Sequence, residues 1–122
     1  MNSEKVLRRA YADFNARNLE AVLAATHPDV VWPNGMEGGM VVGHAGIRDY
    51  WTRQWSVVDP LVEPLRITTE SDGRAVVDVR QRVRDLAGNL LKSGIVQHVY
   101  QFESGLIKSM EIREQSPDAG SP

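Results

Sequence analysis

The chain has 122 residues, of which 42% are hydrophobic and 25% are charged, and these values fit one ordinary globular domain with its own core. A formal net charge of −2 at pH 7 argues against the basic surface that general nucleic-acid binders use. Cysteine is absent, which excludes disulfides, a thiol nucleophile and a thiolate metal site. The N-terminal stretch is charged where a signal peptide would be apolar, and no stretch is long enough to span a membrane, so we expect a soluble cytoplasmic protein.

Two helices are predicted at the N-terminus. In the first, over residues 3–16, apolar residues recur at helical spacing on one side and charged residues on the other, and Asn2 or Ser3 can cap it. Asn18 is predicted to cap a shorter second helix. This helix should end before His27 and Pro28, because proline disfavours helical geometry in the residue before it.

The segment over residues 29–55 is rich in glycine and aromatic residues. It predicts a short strand at 30–32, a loop with a short extended piece at Met40–Val42, and a third helix at 45–57. All of the chain's tryptophans lie in this segment, at Trp32, Trp51 and Trp55. Their clustering predicts the wall of a large apolar cavity, although an aromatic stripe at helical spacing also suits a core without a ligand.

From residue 61 onward the spacing of apolar residues changes from the helical period to alternation, which predicts a sheet. Strands are predicted at residues 65–70, 76–84, 90–102 and 106–114. The order of elements predicts an α+β fold, in which three N-terminal helices pack on the concave face of a strongly curved, mostly antiparallel sheet and form a cone-shaped barrel. We expect a single domain over residues 1–115 and a disordered tail over residues 116–122.

His98 lies on a strand face that is otherwise apolar. Alternation along GIVQHVYQF places it on one face with Val96, Tyr100 and Phe102, where it should be half buried. Burial disfavours the imidazolium form, so we expect a neutral ring that donates from one nitrogen and accepts at the other near neutral pH. Such a group suits general acid/base catalysis. The alternative is that His98 only bonds Tyr100, Asn34 or a backbone group.

Other polar residues have a structural interpretation beside a functional one. Glu37 is either a lid carboxylate or an ordinary loop residue, whereas His27 and His44 lie at helix boundaries, where capping explains them. No His, Asp or Glu residues have a metal-ligand spacing, so neither a metal nor a cofactor is predicted. Three alternating arginines suit an anion site or, alternatively, the solvated or partner-facing side of a strand: Arg80, Arg82 and Arg84.

Three blocks carry a family resemblance over roughly residues 3–115: FNARNLEAVLAATHPDVVW, VVGHAGIRDYW and YQFESGLIKSMEIRE. Together with the order of elements, they resemble the nuclear transport factor two-like superfamily, which includes ketosteroid isomerases and SnoaL-like polyketide cyclases. The resemblance implies a cone whose wide end is an apolar pocket. Polar residues that project into such a pocket carry the chemistry of the family.

The resemblance also implies positions for catalytic residues. The isomerases place an aspartate near the end of the first strand, where this chain has Asn34, and a tyrosine on the first helix, where Ala10 matches and Tyr11 is one residue away. Their second acid, and the acid or base of the cyclases, match His98. Because an asparagine cannot act as a carboxylate base, we do not expect the standard ketosteroid isomerase reaction.

Two function classes follow. The first is a cofactor-independent enzyme that performs proton transfer, as an isomerase, cyclase or dehydratase, on a hydrophobic substrate, with His98 as acid or base and Asn34 or Tyr11 orienting an oxygen. The second is a noncatalytic binding module for an apolar metabolite or a protein partner. In either case the predicted ligand contacts are Trp32, Trp51, Trp55, Tyr100, Phe14 and Met110.

A homodimer is predicted through the outer face of the sheet. That face is expected to mix Val76, Val99 and Ile107 with charged and amide side chains, including Arg80 and Arg82. Such a composition suits an isologous interface, in which each arginine meets an acidic or amide partner across a twofold axis. The resemblance implies the same, because this superfamily commonly dimerises through its sheets.

Overall fold

The computed structural model describes residues 3–114 of the 122-residue chain, so the predicted Asn2 cap and the predicted disordered tail lie outside the described residues. No helix in the described part is long and apolar enough to cross a membrane. The elements are α1 Ser3–Asn15, α2 Leu19–Ala24, β1 Thr26–Pro33, β2 Met40–Val42, α3 Gly43–Trp55, β3 Val58–Thr69, β4 Ala75–Asp85, β5 Leu90–Glu103 and β6 Leu106–Glu114.

The six strands form one sheet in the order β2-β1-β6-β5-β4-β3. Neighbouring strands are antiparallel except β1 and β6, which are parallel, so the sheet is mixed. Irregular pairing between β3 and β4, between β4 and β5 and between β5 and β6 bends the long strands, and the described sheet remains open at β2 and β3. The three helices pack on its concave side, which confirms the predicted α+β cone.

Strand β3 begins seven residues earlier than predicted, at Val58 instead of residue 65. Pro60 and Pro64 lie inside it and pair with β4. Proline cannot donate to a ladder, but it is tolerated here because β3 is the edge strand on this side of the described sheet. Both prolines precede the predicted start at residue 65, so the predicted strand covered only the part of β3 that follows them.

The predicted caps are corrected in three places. Asn18 precedes α2, but its side chain makes no capping hydrogen bond. His27 lies inside β1, with its Nε2 3.0 Å from a carboxylate oxygen of Glu103. His44 lies in the first turn of α3, with its Nε2 3.1 Å from the backbone oxygen of Thr26. Both histidines therefore contact the sheet and do not cap helices.

The buried residues form two clusters that Trp32 joins. One lies between α1 and strands β4 to β6 and includes Leu7 and Val77, and the other lies between α2, α3 and β1 and includes Ile47 and Trp51. Hydrophobic burial of these faces is the main force that holds the helices on the sheet.

Ile107 was predicted on the outer face of the sheet, and that prediction is wrong. It is 1% exposed and belongs to the inner cluster under α1. The pairing of β5 with β6 shifts at this point, since Gln101 pairs with Ser109 whereas Phe102 pairs with Ile107. A bulge of this kind reverses the alternation of side chains, so counting back along β6 assigned the residue to the wrong side.

Candidate active site

The helices and the concave side of the sheet surround a cavity of about 420 Å³. Most of the side chains that line it are apolar or aromatic. Of the six predicted ligand contacts, the lining includes five, namely Phe14, Trp32, Trp51, Tyr100 and Met110.

Trp55 is the predicted contact that does not line the cavity. Its ring packs against Phe14 and Trp51, with centroid distances of 5.3 and 5.9 Å, and the guanidinium of Arg17 lies 5.2 Å from the centroid of its ring. Trp55 therefore supports the aromatic wall from behind. Its indole Nε1 is buried without a hydrogen-bond partner among the described residues.

Three polar side chains meet at the inner end of the cavity. Tyr11 projects from α1, and His98 and Tyr100 project from the same face of β5. The Tyr11 hydroxyl lies 2.8 Å from His98 Nδ1, and the Tyr100 hydroxyl donates to the Tyr11 oxygen at 2.8 Å. All three residues are buried, and His98, at 7% exposure, is more deeply buried than the half-buried position predicted for it.

The order of donors along this chain of hydrogen bonds follows from counting protons. Each hydroxyl has one proton, so Tyr11, which accepts from Tyr100, directs its own proton to His98 Nδ1. The proton of the neutral imidazole then lies on Nε2. The reverse order would leave both the Tyr100 proton and an unprotonated Nε2 without a partner among the described residues, whereas this order leaves only the Nε2–H group, and unpaired buried polar groups are costly.

Burial keeps all three groups neutral. It lowers the pKa of His98 from 6.5 to about 4, because the charged imidazolium is poorly solvated inside the protein. Burial likewise raises the pKa of Tyr11 and of Tyr100 above the ordinary value for a phenol, and the neighbouring Tyr100 raises that of Tyr11 further. Near neutral pH the site therefore contains a neutral ring and two neutral phenols.

The Nε2 atom of His98 is the free end of this hydrogen-bond chain. Within residues 3–114 it makes no hydrogen bond, and it is not among the fully buried atoms that lack a partner. Because His98 lines the cavity, this N–H group is accessible to a ligand. A neutral N–H donor in an apolar cavity polarises a carbonyl, epoxide or hydroxyl oxygen.

Asn34 does not join this group. Its Oδ1 accepts hydrogen bonds from the backbone N–H groups of Met36 and Glu37, at 3.1 and 2.8 Å, and its Nδ2 donates to the Glu37 carboxylate at 2.9 Å. The side chain therefore closes the loop between β1 and β2, and it is not part of the cavity lining. The Asn34-Gly35 pair is a typical turn signal, which indicated this role in the sequence.

Glu37 belongs to the same loop. Its carboxylate accepts from Asn34 and forms an ion pair with Arg53 of α3, and these two contacts, Asn34 first, lower its pKa. The ion pair with Arg53 attaches the loop to α3.

Sequence reasoning missed four further polar residues that line the cavity, namely Tyr50, Gln54, Gln81 and Lys92. Tyr50 accepts a hydrogen bond from the backbone N–H of Gly35 at 3.0 Å and another from Gln54 at 3.3 Å. Gln81 lies on β4, and Lys92 lies in the exposed first part of β5. Alternation along β5 would have found Lys92, because it lies on the same face as His98.

The VVGHAGIRDYW block, one of the three that carry the resemblance to the superfamily, stabilises the fold. Gly43 starts α3 with φ of 79°, a conformation that favours glycine, and a Cβ atom there would lie 3.4 Å from the backbone oxygen of Pro28. Ile47 is fully buried, and Arg48 makes two hydrogen bonds with the Glu20 carboxylate of α2. This block therefore docks α3 onto β1 and α2.

Comparison with known proteins gives the following matches. The family model described as the SnoaL-like domain matches residues 7–110. TerC, crystallised with polyporic acid, is 28% identical, with a TM-score of 0.78 over 93% of this chain and 91% of that chain. An NTF2-like protein of unknown function from Burkholderia pseudomallei is 27% identical, with a TM-score of 0.81 over 97% and 94% of the two chains.

A more distant structure has the same fold. RV0760c from Mycobacterium tuberculosis, in complex with estradiol-17beta-hemisuccinate, is 16% identical, with a TM-score of 0.79 over 93% of each chain. A separate search among curated proteins found no match to this chain.

Proposed function

The chain belongs to the SnoaL-like domain family, and on this premise we propose that it is a cofactor-independent enzyme that acts on an oxygen group of a hydrophobic small molecule. The observation that carries the proposal is the hydrogen-bond chain from Tyr100 through Tyr11 to His98, which ends on an N–H group accessible from the cavity. TerC, a relative that was crystallised with polyporic acid, supports a small-molecule ligand.

In the proposed mechanism His98 acts as an electrophilic hydrogen-bond donor. Its Nε2–H group donates a hydrogen bond to the substrate oxygen and stabilises the negative charge that develops there. The bond from Tyr11 to Nδ1 strengthens as that ring nitrogen becomes more basic, and Tyr100 holds the Tyr11 hydroxyl in position. Polarisation of a carbonyl, epoxide or hydroxyl in this way promotes isomerisation, cyclisation or dehydration.

The test uses two reactions that require no cofactor. Exchange of the α-hydrogens of 2-tetralone in heavy water and ring closure of an aryl-substituted hydroxy epoxide are followed by NMR. The wild-type protein should accelerate at least one of them, and His98→Gln should lower that rate by about 100-fold, the lower end for loss of such a donor, while ligand binding survives. His27→Gln, which changes a histidine outside the cavity lining, should leave the rate unchanged.

A noncatalytic binding module is the second candidate, for an apolar metabolite or a protein partner. One observation favours it: no aspartate or glutamate lines the cavity within residues 3–114, so the described site has no carboxylate base. Tight binding of polyporic acid, measured by quenching of tryptophan fluorescence, together with no acceleration of either reaction, would support this candidate over the enzyme.

We also propose a homodimer through the outer face of the sheet. Val76 and Val99 pair on that face, at 6% and 1% exposure, so neighbouring side chains of the same chain already cover them. The apolar surface left for a partner is at the other end of β5, where Leu91 and Ile95 are 58% and 46% exposed. Ile95 lies opposite Arg80, which gives the mixed character that suits an isologous contact.

A further inference from the structure

Lys92 is the one charged residue in the cavity lining within residues 3–114. It lies near the exposed start of β5, opposite Val83. It makes no hydrogen bond or ion pair with another described residue. Asp85, two positions from Val83 on β4, makes no ion pair with it, and its carboxylate instead accepts hydrogen bonds from Ala87 and Asn89. The described cavity therefore has an apolar lining and an uncompensated positive charge at its mouth.

The separation of Lys92 and His98 sets the length of a ligand that contacts both side chains. Both residues lie on the inner face of β5, six residues apart, which is about 20 Å along an extended strand. The flexible stem of the lysine allows its ammonium group to approach the cavity from the mouth. Val96, which lines the cavity, and Gly94, where a Cβ atom would meet nothing within 4 Å, lie between them on the same face. The floor between the two groups is therefore open to a flat ligand.

From these positions we infer that the ligand is an elongated apolar acid. This inference rests on the proposed function, since it places the reacting oxygen at His98 Nε2. An apolar body of at least two rings then lies over Gly94, and an anionic oxygen group at its far end pairs with the Lys92 ammonium. Lys92 acts as a specificity residue, because the charge selects among hydrophobic molecules that the apolar lining alone would bind equally.

The test compares ligands that differ in charge or in length. The probes are 4′-hydroxybiphenyl-4-carboxylic acid, its neutral 4-carboxamide and the one-ring 4-hydroxybenzoate, each titrated against tryptophan fluorescence at low salt. The wild-type protein should bind the two-ring acid about fivefold more tightly than the amide, the upper end for a solvent-exposed ion pair. This preference should decrease in high salt, and the one-ring acid should bind most weakly.

The variants separate the lysine from the rest of the cavity. Lys92→Gln should abolish the preference for the acid without changing the affinity for the amide. Lys108→Gln removes the same charge from a residue outside the cavity lining, and it should retain the preference. Gly94→Leu fills the floor, so it should weaken both two-ring probes and leave the one-ring acid unchanged.

The outcomes distinguish the inference from the proposed function. Equal binding of acid and amide to the wild-type protein, or a preference that survives Lys92→Gln, would overturn the role of Lys92 and leave the His98 chemistry standing. If none of the probes binds, the cavity is not a site for such molecules and the inference falls with it. Loss of turnover in His98→Gln with the acid preference intact would support both.

Discussion

The two ends of strand β5 differ in their surroundings although they belong to one continuous strand. At one end His98, Val99 and Tyr100 are buried in succession, so both faces of the strand are covered. At the other end every residue of 90–95 is exposed. The inner face of the buried end carries a neutral, hydrogen-bonded group, whereas the inner face of the exposed end carries the free charge of Lys92.

This difference gives the two ends of the cavity different roles in the proposed function. Burial removes the charge from His98 and leaves an N–H donor in an apolar environment, where a hydrogen bond to developing charge is strongest. Exposure keeps Lys92 solvated and mobile, which suits selection of a charged group at the entrance. The proposed reaction therefore takes place at the buried end, and the proposed selection at the exposed end.

The largest expected effect comes from the wall that covers the buried end. Tyr100 packs against Trp32, which packs against Trp51, with ring centroids 6.1 and 5.4 Å apart. Trp51 is 2% exposed, so Trp51→Ala should lower the free energy of unfolding by about 3–5 kcal/mol, measured by urea denaturation. Part of this loss should be recovered with an apolar ligand in the cavity. A loss below about 1 kcal/mol would contradict the packing of the wall.

Acid should destabilise the buried end through His98. Between pH 6.5 and 4 the unfolded chain binds a proton on this ring and the folded protein does not, because the folded pKa is about 4. Unfolding therefore becomes easier as pH falls through this range, by about 3 kcal/mol at pH 4 for this residue. The wild-type protein should lose that much more stability than His98→Gln between pH 7 and pH 4 in urea titrations. Equal losses in the two proteins would place the His98 pKa near its ordinary value.

The two tyrosines should contribute unequally. Tyr11→Phe removes both hydrogen bonds of the chain and leaves the buried Tyr100 proton without an acceptor, so it should cost about 2 kcal/mol. Tyr100→Phe removes one bond and leaves the bond from Tyr11 to His98, so about 1 kcal/mol is expected. Urea denaturation at pH 7 measures both changes. The opposite order would contradict the position of Tyr11 at the centre of the hydrogen-bond chain.

The smallest change in monomer stability is expected at the exposed end. Ile95→Glu should alter the free energy of unfolding of the monomer by less than about 0.5 kcal/mol, because the side chain is 46% exposed. In light scattering, however, it should convert the proposed dimer to a monomer of 13.6 kDa. Val57→Glu, at an exposed position outside the strands, should leave the dimer intact. A wild-type protein that is already monomeric would contradict the proposed dimer.

Much of the fold could be predicted because periodicity reports which side of an element is buried. The change of period after α3 located the sheet, and alternation placed His98 and Tyr100 together on the inner face of β5. Alternation fails where pairing is irregular, so Ile107 was assigned to the wrong face. The start of β3 was harder to predict because it contains prolines. Proline argues against a central strand but is tolerated in an edge strand, and the sequence does not show which of the two β3 is.

The site was harder to predict because its contacts join distant parts of the chain. Tyr11 and His98 are separated by 87 positions, and no local pattern specifies that their side chains meet. Asn34 illustrates a different error. The resemblance matched it to a catalytic position, but its side chain accepts hydrogen bonds from the backbone of its own loop. Lys92 was missed although alternation along β5 places it on the same face as His98, because a charged residue close to a hairpin is usually solvated.

The most direct test of the central claim is the ¹⁵N NMR spectrum of the His98 ring as a function of pH. The spectrum of the wild-type protein should show a neutral ring with its proton on Nε2 at pH 7, and this ring should remain neutral until the pH approaches its pKa of about 4. Assignment of the signal comes from its absence in His98→Gln. A proton on Nδ1 at pH 7, or a ring that becomes charged near pH 6.5, would contradict the hydrogen-bond chain that presents His98 as a donor to the cavity.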